Sequence, residues 1–215
     1  MKADTVFDAG CTLCPRLAKF LEATRKKHPD YYALPVPPFG DARAHLVVVG
    51  LAPGMKGANR TGRPFTGDYA GVLLYATLHK FGFSNQAEGA SPDDGLKLKD
   101  CRINNAVKCV PPANKPTPEE IRTCNRYLTA DLARTKPGTV ILALGRIAHE
   151  ATLRSFGLKL KDFTFKHGAE HTLPGGQVLL DSYHCSRYNT QTKRLTPAMF
   201  EQVVGRARKL VEEWR

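Results

Sequence analysis

Apolar residues along this chain gather into four short, nearly unbroken runs, at residues 45–50, 101–107, 139–144 and 177–183. A segment that is apolar at successive positions is buried on both faces, as strands of a parallel sheet are. The second run, C-R-I-N-N-A-V, is less hydrophobic than the others. Between the runs apolar residues recur every three or four positions, the period of a helix with one buried face. Residues 11–27 carry Leu13, Leu17, Phe20 and Leu21 in this way, and residues 69–83 carry Val72, Leu73, Ala76 and Leu78 as their expected inward set. Further helices are expected from Thr117 to about Arg134, over residues 146–156, and from Thr196 to the C-terminus. The last has Phe200, Val203, Val204, Ala207, Leu210, Val211 and Trp214 on one face. Strands alternating with helices predict an α/β fold, a three-layer α/β/α sandwich around a four-stranded, mainly parallel sheet.

Boundaries come from local chemistry. Thr117-Pro118-Glu119-Glu120 has a hydroxyl for the N-cap, a proline at the first helical position and a glutamate positioned to complete a capping box. His28-Pro29 ends the first helix, and Pro35, Pro37 and Pro38 make residues 31–40 an extended connector without regular structure. Residues 84–100 read as a polar surface excursion, 159–176 as a hairpin-like excursion, 184–194 as a polar loop, and 1–10 as an arm. No internal repeat or low-complexity tract interrupts the pattern, so residues 1–215 are expected to form one domain.

Charge narrows the class of partner. Lys and Arg number 32 against 20 Asp and Glu, a formal net charge of +12. For a chain of this size that excess favours nucleic acid over a membrane surface, because no basic amphipathic helix stands apart from the fold. With no apolar run of membrane-spanning length and no signal-like N-terminus, a cytoplasmic, nucleoid-associated monomer is expected. Six cysteines in such a chain argue against a disulfide framework. Cys11 and Cys14 form C-x2-C, and Cys109 and Cys124 form C-x14-C, a quartet able to hold zinc or an iron–sulfur cluster. The second pair is too open for a zinc ribbon and suits a bulkier cluster; Cys101 and Cys185 stand alone as small buried hydrophobes.

One loop concentrates unusual chemistry. Residues 50–71, G-L-A-P-G-M-K-G-A-N-R-T-G-R-P-F-T-G-D-Y-A-G, hold six glycines, two prolines, three cations and a single acid, Asp68. It leaves the C-terminal end of the first strand, where open α/β sheets bind ligands. It contains neither G-K-[ST] nor G-x-G-x-x-G, which sets nucleotide-cofactor templates aside. Asp68 directly precedes a helix, so capping competes with catalysis as its role.

That loop, together with N-A-V-K-C-x-P-P-x-N-x-P-T-P-E-E from Asn105 to Glu120 and H-C-S-R-Y-N-T-Q-T from His184 to Thr192, resembles the family 5, or type-b, uracil-DNA glycosylases. The resemblance covers nearly the whole chain and includes the N-terminal C-x2-C. It implies hydrolysis of the N-glycosidic bond of uracil and of other deaminated bases, hypoxanthine-type purines among them, flipped out of DNA. It also implies a 4Fe-4S cluster on Cys11, Cys14, Cys109 and Cys124. The related family 4 has a glutamate directly after the strand, where this chain has Leu51, so the catalytic carboxylate is expected to be Asp68. His184 would stabilise the leaving base, with Cys185 a mild variant at the next position. Gly50, Ala52, Phe65, Asn114, Asn59 and His149 are the expected base-binding residues, with Phe65 stacking on the base and Asn114 reading its edge. Ser186, Arg187 and Asn189, with Lys193 and Arg194 nearby, are expected to grip the DNA backbone and wedge the stack. A related branch that links covalently to DNA carries a K-R-R-I-H insertion, absent here. The competing reading is an iron–sulfur protein that binds DNA damage without cleaving it.

Overall fold

The computed structural model describes residues 7–214; residues 1–6 of the expected arm lie outside that range. Helices are α1 (Pro15–Lys27), α2 (Ala58–Thr61), α3 (Tyr69–Lys80), α4 (Pro118–Leu132), α5 (Arg146–Ser155), α6 (Arg187–Gln191) and α7 (Pro197–Glu213). Strands are β1 (Phe39–Gly40), β2 (Leu46–Gly50), β3 (Cys101–Asn105), β4 (Val140–Leu144), β5 (Glu170–Thr172) and β6 (Val178–Ser182).

The sheet has six strands rather than the expected four, in the order β1-β3-β2-β4-β6-β5. The four apolar runs are its parallel centre; β1 and β5 flank it antiparallel to their neighbours. Both additions are edge strands of two and three residues with exposed or half-buried side chains. Such strands need no apolar pattern, which is why periodicity missed β1 in the proline-rich connector. The excursion expected over residues 159–176 holds a single strand, β5, which forms its hairpin with β6, the apolar run that follows.

Register aligns the core in rows. Ile103, Val48, Leu142 and Leu180 lie side by side across the parallel strands and face α3 and α7. Val47, Ile141 and Leu179 point the other way, against α4 and α5. Each such residue taken fully out of water contributes roughly 1.5–3 kcal/mol. Cys101 and Cys185 lie wholly inside the first of these cores, as small hydrophobes do.

Two helices depart from expectation. α1 starts at Pro15, with Cys14 at its N-cap, so Cys11 and Leu13 precede it and Leu13 is exposed while Leu17 and Leu21 are buried. On α3 the inward residues are Leu74, Tyr75 and Leu78; Val72 is 70% exposed and Ala76 is also outside. Tyr75 decides this rotation: its ring fills the core and its hydroxyl donates to the Pro64 carbonyl. α4 begins as expected, with the Thr117 hydroxyl accepting from the Glu120 amide at 3.2 Å and the Glu120 carboxylate accepting from the Thr117 amide at 2.8 Å.

Candidate active site

The parallel strands end together at Gly50, Asn105, Leu144 and Ser182, and the segments that follow enclose an open cavity of about 660 Å³. Ala52, Phe65, Asp68, Asn114, His184, Ser186 and Arg187 all line it, so three segments distant in sequence converge as the motif order implied. Leu51 is also in the wall, where it can supply no acid.

Asp68 occupies the N-cap position of α3, yet its carboxylate makes no capping hydrogen bond. It turns toward the glycine loop, where its Oδ2 accepts from the Ala58 amide at 3.2 Å. The backbone of that loop presses on it: a Cβ on Gly57 would sit 1.9–2.2 Å from the carboxylate atoms, and one on Gly54 would sit 2.5 Å from Oδ1. Here glycine is required by space. Burial raises the Asp68 pKa above the usual aspartate value, opposed by the Ala58 and Gly54 amides and by Arg60.

Phe65 adopts a left-handed backbone, φ 58°, and is only 6% exposed. Its ring belongs to the core and also stacks on His184, with centroids 6.0 Å apart and planes at 26°. Gly50 lies outside the cavity but makes room for it, since a Cβ there would come within 2.8 Å of the Phe65 ring and 2.4 Å of Asn105 Oδ1. Behind Phe65, Arg63 is buried and forked onto Asp94 at 2.9 and 2.7 Å. That pair anchors the strained loop to the 84–100 excursion and holds the Asp94 carboxyl well below its ordinary range.

His184 is half-buried at the wall, and its Nδ1 is buried without a hydrogen-bond partner among the described residues. Desolvation lowers its pKa to about 4, so the ring is neutral near neutral pH. Asn189 braces it by donating to the His184 carbonyl at 2.8 Å, without itself lining the cavity. The expected polar loop contains a short helix, α6, capped by the Ser186 hydroxyl. Arg187 lies over the Tyr69 ring at 5.7 Å, and Arg194 over Tyr183 at 4.9 Å. Asn114 is exposed at the opposite rim, in a left-handed turn with Ala113.

Besides Gly50, two more expected base-binding residues lie outside the cavity. Asn59 is fully buried inside the loop, with its amide nitrogen near Met55 sulfur at 3.6 Å. His149 is buried beneath α5 outside the cavity, bonded to Asp181 at 2.8 Å and to the Phe163 carbonyl at 3.0 Å. A histidine at helical spacing carries no mark of which face it lies on relative to a loop. One residue was missed. Asn105, at the end of β3, is 3% exposed, lines the cavity, and has an Oδ1 without a partner among the described residues. A polar N-N pair closing an otherwise buried strand was the available signal. Lys108, buried alongside, donates to the Asn105 carbonyl at 2.6 Å and to the Asn104 side chain.

Cys11, Cys14, Cys109 and Cys124 surround a second, small cavity with Leu17, Lys108 and Tyr127. It lies between the start of α1, the loop after β3 and the second turn of α4. The Lys108 amide donates to Cys124 Sγ at 3.2 Å, and Arg16 of α1 forks onto Glu120 of α4 at 2.7 and 2.6 Å.

A mainly parallel sheet with its cavity at the strand C-termini, and with a half-buried acid that does not cap its helix and a neutral histidine in the cavity wall, defines an α/β fold with a candidate active site. The chain belongs to the uracil DNA glycosylase superfamily, whose family profile matches residues 37–208. Among its relatives is the type-5 uracil-DNA glycosylase of Thermus thermophilus, 50% identical over 93% of each chain. The type-5 enzyme of Pyrobaculum aerophilum is 40% identical over 92% of this chain and 87% of its own. A type-4 uracil-DNA glycosylase of Archaeoglobus fulgidus is 38% identical over 58% of this chain.

Proposed function

We propose that this chain is a DNA repair glycosylase that hydrolyses the N-glycosidic bond of uracil, and of other deaminated bases of the hypoxanthine type, after they leave the DNA stack. The observation that carries the reading is Asp68: a half-buried carboxylate at a helix start that does not cap the helix and instead lines an open cavity whose wall also holds His184.

In the reaction the bond from C1′ of the sugar to the base nitrogen breaks, and the electron pair leaves with the base. Asp68, ionised, stabilises the cationic sugar and orients a water whose oxygen forms the new bond to C1′, as carboxylates do in glycoside hydrolysis. The water's proton passes to the carboxylate or to solvent. Neutral His184 donates one ring N–H to the leaving base, where negative charge gathers. Phe65 presents its face to the base. Asn105 Oδ1, otherwise unpartnered, and Asn114 supply polar contacts to the base edge, while the wide mouth of the cavity suits purines as well as pyrimidines. Arg187, Ser186, Lys193 and Arg194 contact phosphates, and exposed Tyr188 is the bulky group within 186–189 able to fill the gap left in the stack. Flipping costs a few kcal/mol, which those contacts offset.

The thiol cavity supports a 4Fe-4S cluster on Cys11, Cys14, Cys109 and Cys124. Among the described residues no three of the sulfurs approach within 4.8 Å of one another. That is wider than the edge of about 3.8 Å in a zinc tetrahedron with 2.3 Å bonds. Its place between α1, α4 and the loop leading to Asn114 supports a structural role.

The test uses duplexes with a single uracil or hypoxanthine, treated with alkali after incubation. Strand breaks from the purified protein, lost by about 10²–10⁴-fold in Asp68→Asn with binding retained, are expected. Binding without breaks would leave the non-cleaving damage binder as the function.

A further inference from the structure

Outside the cavity, on the face of the sheet that α5 covers, three ligating side chains meet with no part in the proposed reaction. His149 comes from α5, His171 from β5 and Asp181 from β6, and one donor atom of each lies within 4.8 Å of the other two. Asp181 is fully buried. Its oxygens face His149 Nδ1 at 2.8 Å, His171 Nε2 at 3.4 Å and the Lys166 amide at 3.4 Å.

The hydrogen-bond accounting leaves a gap. His149 Nε2 lies 3.0 Å from the Phe163 carbonyl, which can only accept, so Nε2 carries the ring hydrogen. In the neutral ring, Nδ1 then presents a lone pair to a carboxylate oxygen 2.8 Å away. Two electron-pair donors at that distance need a positive species between them, a proton or a metal ion. His171 Nε2 is buried 3.4 Å from the other oxygen of that carboxylate but forms no hydrogen bond among the described residues, so a third donor lies at the same spot.

We propose that His149, His171 and Asp181 form a binding site for a divalent transition-metal ion of the zinc class. Two imidazoles and a carboxylate are the borderline donor set that such ions take. Bonds of 2.0–2.2 Å in a tetrahedron put donor atoms about 3.3–3.5 Å apart. The observed 3.4 Å already fits, and the 2.8 Å pair needs to open by roughly half an ångström. The Phe163 carbonyl fills the outer position that a ligating histidine's second nitrogen usually finds. Phe163 stands edge-on to His171 at 5.7 Å and Phe165 to His149 at 5.6 Å, which dries the site, while the His171 side chain, 17% exposed, offers the way in. A bound ion would tie α5 to the β5–β6 hairpin just before the chain enters the His184 loop.

The experiment uses the full chain with its iron content measured beforehand. Protein equilibrated with zinc and gel-filtered should retain one zinc per chain by elemental analysis, with a raised Tm, and cobalt in its place should give the visible bands of a tetrahedral ion. His171→Ala, altered at a partly exposed position, should fold and keep its iron but lose the zinc and the Tm increase. Failure of the wild-type protein to retain zinc overturns the proposal, as does zinc retained by His171→Ala, which would belong to the thiols. Independently of any variant, nitrogen NMR showing both His149 nitrogens protonated in saturating zinc would assign the gap to a proton and overturn it too.

Discussion

At the scale of single residues, the two titratable groups proposed for the reaction, Asp68 and His184, are shifted in opposite directions, and the signs predict a pH profile. In the proposed reaction Asp68 works ionised, and burial raises its pKa, so activity should fall on the acid side at a pH above the ordinary aspartate value. His184 works neutral and its pKa is lowered to about 4, so no inflection should appear near 6.5, the value of an unperturbed histidine. Rates measured under kcat/KM conditions across mildly acid to mildly alkaline pH decide this; a step at 6.5 would mean that His184 titrates freely. Gly57 yields a sharper prediction, because a Cβ there would overlap the Asp68 carboxylate. Gly57→Ala should cost on the order of 10²-fold in rate by displacing that carboxylate by about an ångström. DNA binding should change little, and wild-type turnover would show that the loop can give way. The spatial demand behind it was legible only as composition: six glycines announced a crowded loop, but not which of them face the acid.

At the scale of elements, the apolar runs and cap residues located the parallel centre and α4 because burial on both faces and side-chain capping leave direct marks in the sequence. Edge strands β1 and β5 leave none, since one side is unpaired and their side chains are not buried. The rotation of α3 was misjudged because Val72 and Leu74 are equally apolar, and only the fit of Tyr75 against Pro64 selects between them. The places of Asp68 and His184 in the cavity wall were legible through their motifs. Asn105 was not, because its unpartnered oxygen is a property of the assembled strand ends. Glu120 shows the same limit: the capping box was readable, but its second bond, to Arg16 on α1, joins residues 104 positions apart. This carboxylate therefore serves two helices that each bring cysteines to one cavity. Glu120→Ala should leave the glycosylase cavity intact but loosen α1. The proposed cluster's visible absorbance should decay several-fold faster in air with chelator present. Equal decay in mutant and wild-type protein would confine Glu120 to capping α4.

At the scale of the whole molecule, a net charge of +12 has to be reconciled with a cavity whose wall is largely apolar. Cations stand at its edge and beyond: Arg146 and Arg187 line it and are exposed, Arg187 lies over exposed Tyr69, and exposed Lys193 and Arg194 follow in the segment after α6. This division suits a substrate whose phosphates stay outside while one base goes in, since counterion release supplies affinity without selectivity and the interior supplies selectivity. Four phosphate contacts would give a slope of about −4 in log binding constant against log salt concentration, from roughly −0.9 per contact. The measurement is best made with Asp68→Asn on a uracil duplex, so that the substrate survives. Arg187→Ala in that background should flatten the slope by about 1 and weaken uracil-containing and undamaged duplexes alike. A loss confined to the uracil duplex would instead place Arg187 at the flipped base, and an unchanged slope would remove it from the DNA interface altogether.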